Sequence, residues 1–271
     1  MKLECSENCR KARISISETS LVSIIKDFLD SLEAINSNPM ILQQFYDYIK
    51  IKFNIPCEKG MLFVEKITME SVFKTFKLKT DSMNSLTNKK VELYQWISPR
   101  HLEIKELNIT KILKILRKME STEVPSVKTF HLMTSIENLY RKVGKGVGLD
   151  DFFPYLVYCF IKANIQDLYA HIHYINLFKR KYDKDCNFEC KHGFQIPVEC
   201  ICLISKDWKN EDEYYLTTAL AVVDYIAKLE YYNLKIEHKE FDKKISRSLE
   251  RFQTSNKKDE SSSTFELNRE L

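Results

Sequence analysis

The sequence predicts an all-α protein, and three observations predict it. Glycine and proline number only 5 and 6 among 271 residues, which leaves few signals for the turns of an all-β chain. Long segments rich in Leu, Ile, Lys and Glu carry apolar residues at helical spacing. The two most apolar segments, Asp150–Asn164 (DDFFPYLVYCFIKAN) and Glu211–Tyr231 (EDEYYLTTALAVVDYIAKLEY), both open on carboxylates. Carboxylates suit a helix start, where unpaired N–H groups present partial positive charge. A chain of this length buries one sizeable core, or one core with a helical annex.

The elements follow in order. Met1 to Ser17 is a polar, basic tail. Leu21–Leu32 places Leu21, Ile24, Ile25, Phe28, Leu29 and Leu32 on one helical face, and Asn36–Pro39 ends it. A second helix carries Ile41, Leu42, Phe45, Tyr46 and Ile49, and a third spans Met61–Leu78. Thr80–Thr87 (TDSMNSLT) is expected as a loop, and Val91–Ile97 as a short helix stopped by Ser98-Pro99. Helices over Ile109–Met119 and Val127–Val143 lead to a joint containing Gly144, Gly146 and Gly148. Pro154 is placed in the first turn of the next helix, where its missing N–H removes no intrahelical bond. Asp167–Phe178 (DLYAHIHYINLF) is expected as an amphipathic helix between the two apolar ones. Lys179–Asn210 is too long for an ordinary connection and is expected as an insertion, with Val198–Ile204 as a short strand or buried turn. Leu234–Leu249 is a last amphipathic helix, and Thr254–Leu271 is polar enough to be disordered.

Charge and hydropathy narrow the function classes. The net charge of +4 falls short of what nucleic acid as principal partner requires. No apolar run approaches the roughly 20 residues that span a bilayer. The N-terminus (MKLECSENCRKARIS) is too polar for a secretory signal, so the 8 cysteines are expected to be reduced thiols and the location cytoplasmic. The glycines before Asp150 lack the spacing of a phosphate-binding loop and follow a helix rather than a strand. No nucleophile–base pair suggests a hydrolase.

Three constellations carry chemistry. Tyr214 and Thr217, three apart on a helix, share a face, and Asp150 stands at the start of the other apolar helix. The plainer alternative is that Asp150 or Asp151 caps its helix and Thr217 bonds its own backbone. Cys186, Cys190, His192, Cys200 and Cys202 could satisfy a structural zinc, although C-x₃-C followed by C-x-C is not a zinc-knuckle spacing; reduced cysteines are the alternative. His171 and His173 face different ways on a helix and are expected as surface or boundary residues. Lys179-Arg180-Lys181 offers a small basic run toward an acidic membrane surface.

Taken together, LDDFFPYLVYCFIKAN, YINLF and NEDEYYLTTALAVVDYIAKLE resemble the vacuolar-protein-sorting-nine (VPS-nine) domain. In that family an Asp four residues before a Pro is followed by Asn, Tyr-Ile-x-x-Phe and Glu-x-x-Tyr-x-x-Thr. Here these are Asp150, Pro154, Asn164, Tyr174, Ile175, Phe178, Glu211, Tyr214 and Thr217. Trp96–Pro99 with Leu102, Leu42–Phe53 and Leu234–Phe241 extend the likeness across most of 21–249; Asn210 departs from the family's usual glycine. The resemblance implies a layered helical domain packed on an N-terminal helical bundle, with a C-terminal amphipathic helix. It divides the chain into a tail at 1–20, a bundle at 21–120 and a core at 121–232 with an insertion at 179–210. A C-terminal helix at 233–252 and a tail at 253–271 complete it. It implies a guanine-nucleotide exchange factor for small GTPases of the early-endosomal Rab group, monomeric and peripherally bound to early endosomes, with no cofactor and no metal. Asp150 then matches the acidic finger, with Pro154, Tyr214 and Thr217 contacting the GTPase. The alternatives are an exchange-inactive Rab-binding scaffold of the same fold, or a zinc-stabilised helical interaction protein.

Overall fold

Ten helices follow one another in a computed structural model that describes residues 19–30, 39–53, 55, 58–144, 146–180 and 211–251. They are α1 (Thr19–Leu29), α2 (Pro39–Lys52), α3 (Glu58–Lys79), α4 (Asp81–Leu93) and α5 (Thr110–Arg117). Then come α6 (Pro125–Val143), α7 (Leu149–Ala163), α8 (Leu168–Phe178), α9 (Glu211–Ala227) and α10 (238–251). Short 3₁₀ turns stand at Pro99–Leu102, Lys118–Ser121 and Tyr231–Asn233. No strand occurs among the described residues, so the protein is all-α as expected. Pro39 and Pro125 each open a helix, where their fixed φ is already helical.

Apolar side chains gather into two main cores. One is built from α1, α2 and α3, through Leu21, Ile25, Leu42, Tyr46, Ile49, Met69, Val72 and Phe73. The other lies among α5, α6, α7 and α9, through Ile112, Leu116, Leu132, Ile136, Leu156, Phe160, Val222 and Ile226. Helix α8 is the wall between them. Ala170, Tyr174 and Phe178, spaced by four, face the first core, whereas Leu168, Ile172 and Ile175 face the second. The helix expected to be amphipathic therefore buries two faces.

Among the described residues three charged side chains, Glu65, Lys128 and Arg180, are buried, and all lie on the seam between these cores. Glu65 on α3 accepts hydrogen bonds from the Ser126 N–H (2.9 Å) and hydroxyl (2.7 Å), and the Arg180 guanidinium lies 3.7 Å away. Lys128 on α6 donates to the Met119 carbonyl (2.8 Å), reaches His171 Nδ1 at 2.8 Å and sits 4.2 Å over the Phe73 ring. Burial, partly offset by Glu123 and Glu120, holds its pKa down at about 7. His171 is also buried, and desolvation and the Lys128 charge push its pKa well below the usual histidine range. Two expectations change here. His171 is an interior hydrogen-bonding group, because Phe73 and Lys128 cover it. Arg180 is buried with Glu65, which removes it from any exposed basic run.

Four element boundaries also differ from expectation. Thr80–Thr87 is not a loop but the start of α4, whose buried positions Asn84, Thr87 and Val91 are mostly polar and escape an apolar-periodicity reading. Asn84 Oδ1 accepts the Ala170 N–H (2.8 Å) and Asn88 Oδ1 the Asp167 N–H (3.0 Å), so tertiary hydrogen bonds at the start of α8 hold α4 helical. The short helix placed at Val91–Ile97 is the end of this same α4. Helix α9 stops at Ala227, where the chain turns so that Tyr94 Oη and Lys90 Nζ donate to the Leu229 carbonyl (2.9 and 2.8 Å). Helix α10 begins at 238 rather than 234, after the Tyr231–Asn233 turn. The cysteine–histidine cluster at Cys186–Cys202 and the segment Val198–Ile204 lie outside the described residues, as do most of both tails.

Candidate GTPase-docking site

The α7 end that carries Asp150 is built from the glycine joint outward. Gly144 and Gly146 have φ of 123° and 84°, which side chains with a Cβ rarely adopt, and Gly148 in extended conformation is the N-cap. Its carbonyl receives the first helical N–H, from Phe152 at 3.0 Å. Asp150 and Asp151 thus fall in the first turn without capping, both exposed. Pro154 is the sixth helical residue, not a first-turn residue. Lacking an N–H, it leaves the Asp150 carbonyl without its usual i+4 donor. The opposite end of α7 is fastened. Asn164 caps it at φ 50°, Arg117 donates to the carbonyls of Ala163 (2.9 Å) and Lys162 (3.2 Å), and Gln95 Nε2 donates to that of Ile161 (2.5 Å). Below the helix, Phe152, Leu156 and Phe160 are buried. A carboxylate at a solvent-exposed start thus rides on a helix immobilised at its far end.

Around that start lies a cavity of about 450 Å³, walled by Asp150, Asp151, Pro154 and Tyr155 on one side and by Leu102–Lys105 on the other. The Lys105 N–H donates to the Tyr155 hydroxyl at 3.1 Å, closing its floor. Glu103 stands at φ 53° just after the Pro99–Leu102 turn. That turn is held by buried His101, whose Nδ1 accepts the Ser98 N–H at 2.9 Å and whose pKa burial and Arg100 lower. A second cavity of about 320 Å³ shares Pro154 and continues over Phe153, Val157, Tyr225 and Tyr232.

Helix α9 packs along α7, with Phe153 and Tyr225 edge-on at 5.5 Å. Tyr214 and Thr217 are exposed on one face of α9, eleven and eight residues before Tyr225, about 16 and 12 Å back along its axis. Neither lines the two cavities described. The Thr217 hydroxyl donates to the Glu213 carbonyl at 2.7 Å, the local bond foreseen as its plainer alternative. Thus Asp150 and Pro154 share one cavity wall, while Tyr214 and Thr217 share a separate patch of the same helix pair. Sequence reasoning reached Leu102 through the Trp96–Pro99 turn but missed the rest of the loop, Glu103–Lys105, and the aromatic residues Phe153, Tyr225 and Tyr232. Among the described residues no group of His, Cys, Asp and Glu side chains is placed to hold a metal. None of the described helices is long and apolar enough to cross a membrane.

Paired apolar helices, with a carboxylate at the exposed start of one, form a layered helical arrangement. Residues 109–231 match the family profile of the Vacuolar sorting protein 9 (VPS9) domain. A Rab5 GDP/GTP exchange factor of Mus musculus is 27% identical over 222 residues, covering 76% of this chain and 40% of that protein. The Homo sapiens protein of the same name is 26% identical over 206 residues, covering 70% and 37%. The vacuolar protein sorting-associated protein vps901 of Schizosaccharomyces pombe is 24% identical over 174 residues, covering 61% and 26%. The chain thus spans well under half the length of these curated relatives.

Proposed function

We propose that this chain is a guanine-nucleotide exchange factor for a small GTPase of the early-endosomal Rab group, acting in the cytoplasm and peripherally on early endosomes. The observation that carries this reading is the exposed Asp150 carboxylate on a helix anchored at its other end, within a segment matching the VPS9 domain. Relatives named Rab5 GDP/GTP exchange factors support it. GDP is held on its GTPase largely by charge, through magnesium and a phosphate-binding lysine. Asp150, pushed into that site, competes for both cations and repels the phosphate. The furrow between α7 and α9 receives the GTPase switch regions, with Pro154 beside the finger and Tyr214 and Thr217 docking further along. No covalent bond forms or breaks; the nucleotide-free state is bound in preference to the loaded one.

The test is release of a fluorescent GDP analogue from a panel of Rab GTPases. The parent chain should accelerate release from an early-endosomal member, Asp150→Ala should abolish the acceleration, and Tyr214→Ala and Thr217→Ala should weaken it. Asp150→Ala exchanging at the parent rate would remove the finger mechanism. Tight binding to nucleotide-free GTPase without faster release would assign the scaffold role instead.

A further inference from the structure

Helix α10 carries cations at four-residue spacing. Lys239, Lys243, Arg247 and Arg251 are all exposed, and Lys235 stands one step ahead of the helix. Residues four apart are neighbours on a helix, each about 40° further round than the last, so the row winds over the outer side for about 18 Å. The inner face is occupied: Phe241 packs on Tyr94, Trp96 and Tyr231, and Ile245 joins the same core. Two of the helix's acids are drawn aside, Glu240 to Arg100 (2.9 Å) and Asp242 to His238 (2.9 Å). Among the described residues no ion pair takes in Lys239, Lys243, Lys244 or Arg247. One large apolar side chain stands out beside this row, Tyr232, which shares a cavity wall with Lys235.

We infer that this face of α10 docks on an anionic phospholipid surface. A winding row of exposed cations suits a layer of phosphates, and each basic residue near such a surface adds attraction of similar size. The projecting Tyr232 side chain fits the headgroup boundary, which a nucleic acid or an acidic peptide does not offer. The location also serves the exchange reading. Arg100 joins α10 to the Pro99–Leu102 turn, and Lys235 Nζ lies 3.6 Å from Glu103, a wall of the Asp150 cavity. A chain held by α10 would present that cavity next to a membrane-tethered GTPase. This last step rests on the proposed exchange function, whereas the lipid contact does not.

The experiment is vesicle co-sedimentation of the full chain, using phosphatidylcholine vesicles with and without phosphatidylserine and no GTPase. The chain should bind only the phosphatidylserine vesicles, and salt should weaken binding by screening. The triple variant Lys239→Gln, Lys243→Gln, Arg247→Gln should lose roughly five-fold per cation, about a hundredfold in all. Glutamine is a good helix former at these exposed positions, so the fold should persist. A charge-matched control, Lys111→Gln, Lys114→Gln, Lys118→Gln, removes three exposed cations of the α5 region and should bind nearly as the parent does. Equal loss in both triples, or a parent chain that ignores phosphatidylserine, overturns the proposal. Because the α10 triple should still release GDP from soluble GTPase at the parent rate, failure of the lipid contact and failure of exchange are read separately.

Discussion

The interior around α7 and α9 and the seam along α8 are built on opposite principles. The first is hydrocarbon, with Leu156, Phe160, Ala219, Val222 and Ile226 fully covered and Cys159 as a small apolar filler whose thiol pKa burial raises to about 12. The second is a line of enclosed polar and charged groups: Glu65 takes hydrogen bonds from Ser126 with the Arg180 guanidinium 3.7 Å away, and Lys128 reaches His171, in each case between segments distant in sequence. Burial of hydrocarbon stabilises many arrangements of helices almost equally. Enclosed charge costs desolvation and tolerates only arrangements in which its partners meet. The apolar half therefore supplies a firm bed for the candidate docking helices, and the charged seam fixes how the N-terminal layer sits on it.

The contrast can be broken most sharply at Glu65. Glu65→Ala removes the carboxylate that Ser126 donates to and that lies 3.7 Å from the Arg180 guanidinium, and should cost about 3–5 kcal/mol in urea unfolding. The combined change Glu65→Leu with Arg180→Met should recover most of that loss; failure to recover it would mean that the seam contributes packing rather than charge. In the apolar half, Leu156→Ala should cost about 2–5 kcal/mol through transfer and cavity terms, and no second-site removal of a polar partner should rescue it. Lys128 gives a smaller, pH-dependent signal. Its pKa is depressed from 10.5 unfolded to about 7 folded, so the unfolded chain binds the extra proton between these values. Stability from this group is therefore fully present above 10.5 and is lost as pH falls toward 7. Lys128→Met should flatten this slope in thermal melts across that window. The smallest effect belongs to Asp150→Ala, which removes only a first-turn carboxylate and should cost about 0.3–1 kcal/mol. A large fall in melting temperature there would make Asp150 a structural residue.

The all-α class, the starts of α6 and α7 and the two apolar helices were legible because each rests on local signals: proline, glycine, acidic first turns and apolar spacing. Asp150 and Pro154 on one wall were also within reach, since both belong to a single helix. Helix α4 was not, because TDSMNSLT is turn-prone in isolation and becomes helical through what Asn84 and Asn88 bond elsewhere. His171 and Arg180 were misread for a related reason. Their polarity points outward by default, and only Lys128, Phe73 and Glu65, from other segments, make an interior place for them. Beyond Leu102, the Glu103–Lys105 part of the wall was invisible because it has neither period nor motif, and its place follows from the turn that enclosed His101 holds.

The asparagines of α4 have one more consequence. Residues 109–231 are the portion that matches the family profile, yet the amide groups opening α8 and the carbonyl at Leu229 find their partners on α4, at Asn84, Asn88, Lys90 and Tyr94. A fragment excised at the profile's own limits would expose those groups and strip Val91 and Tyr94 from the larger core. The smallest autonomous piece must therefore begin upstream of Asp81, so that expression boundaries follow hydrogen bonding, not sequence kinship.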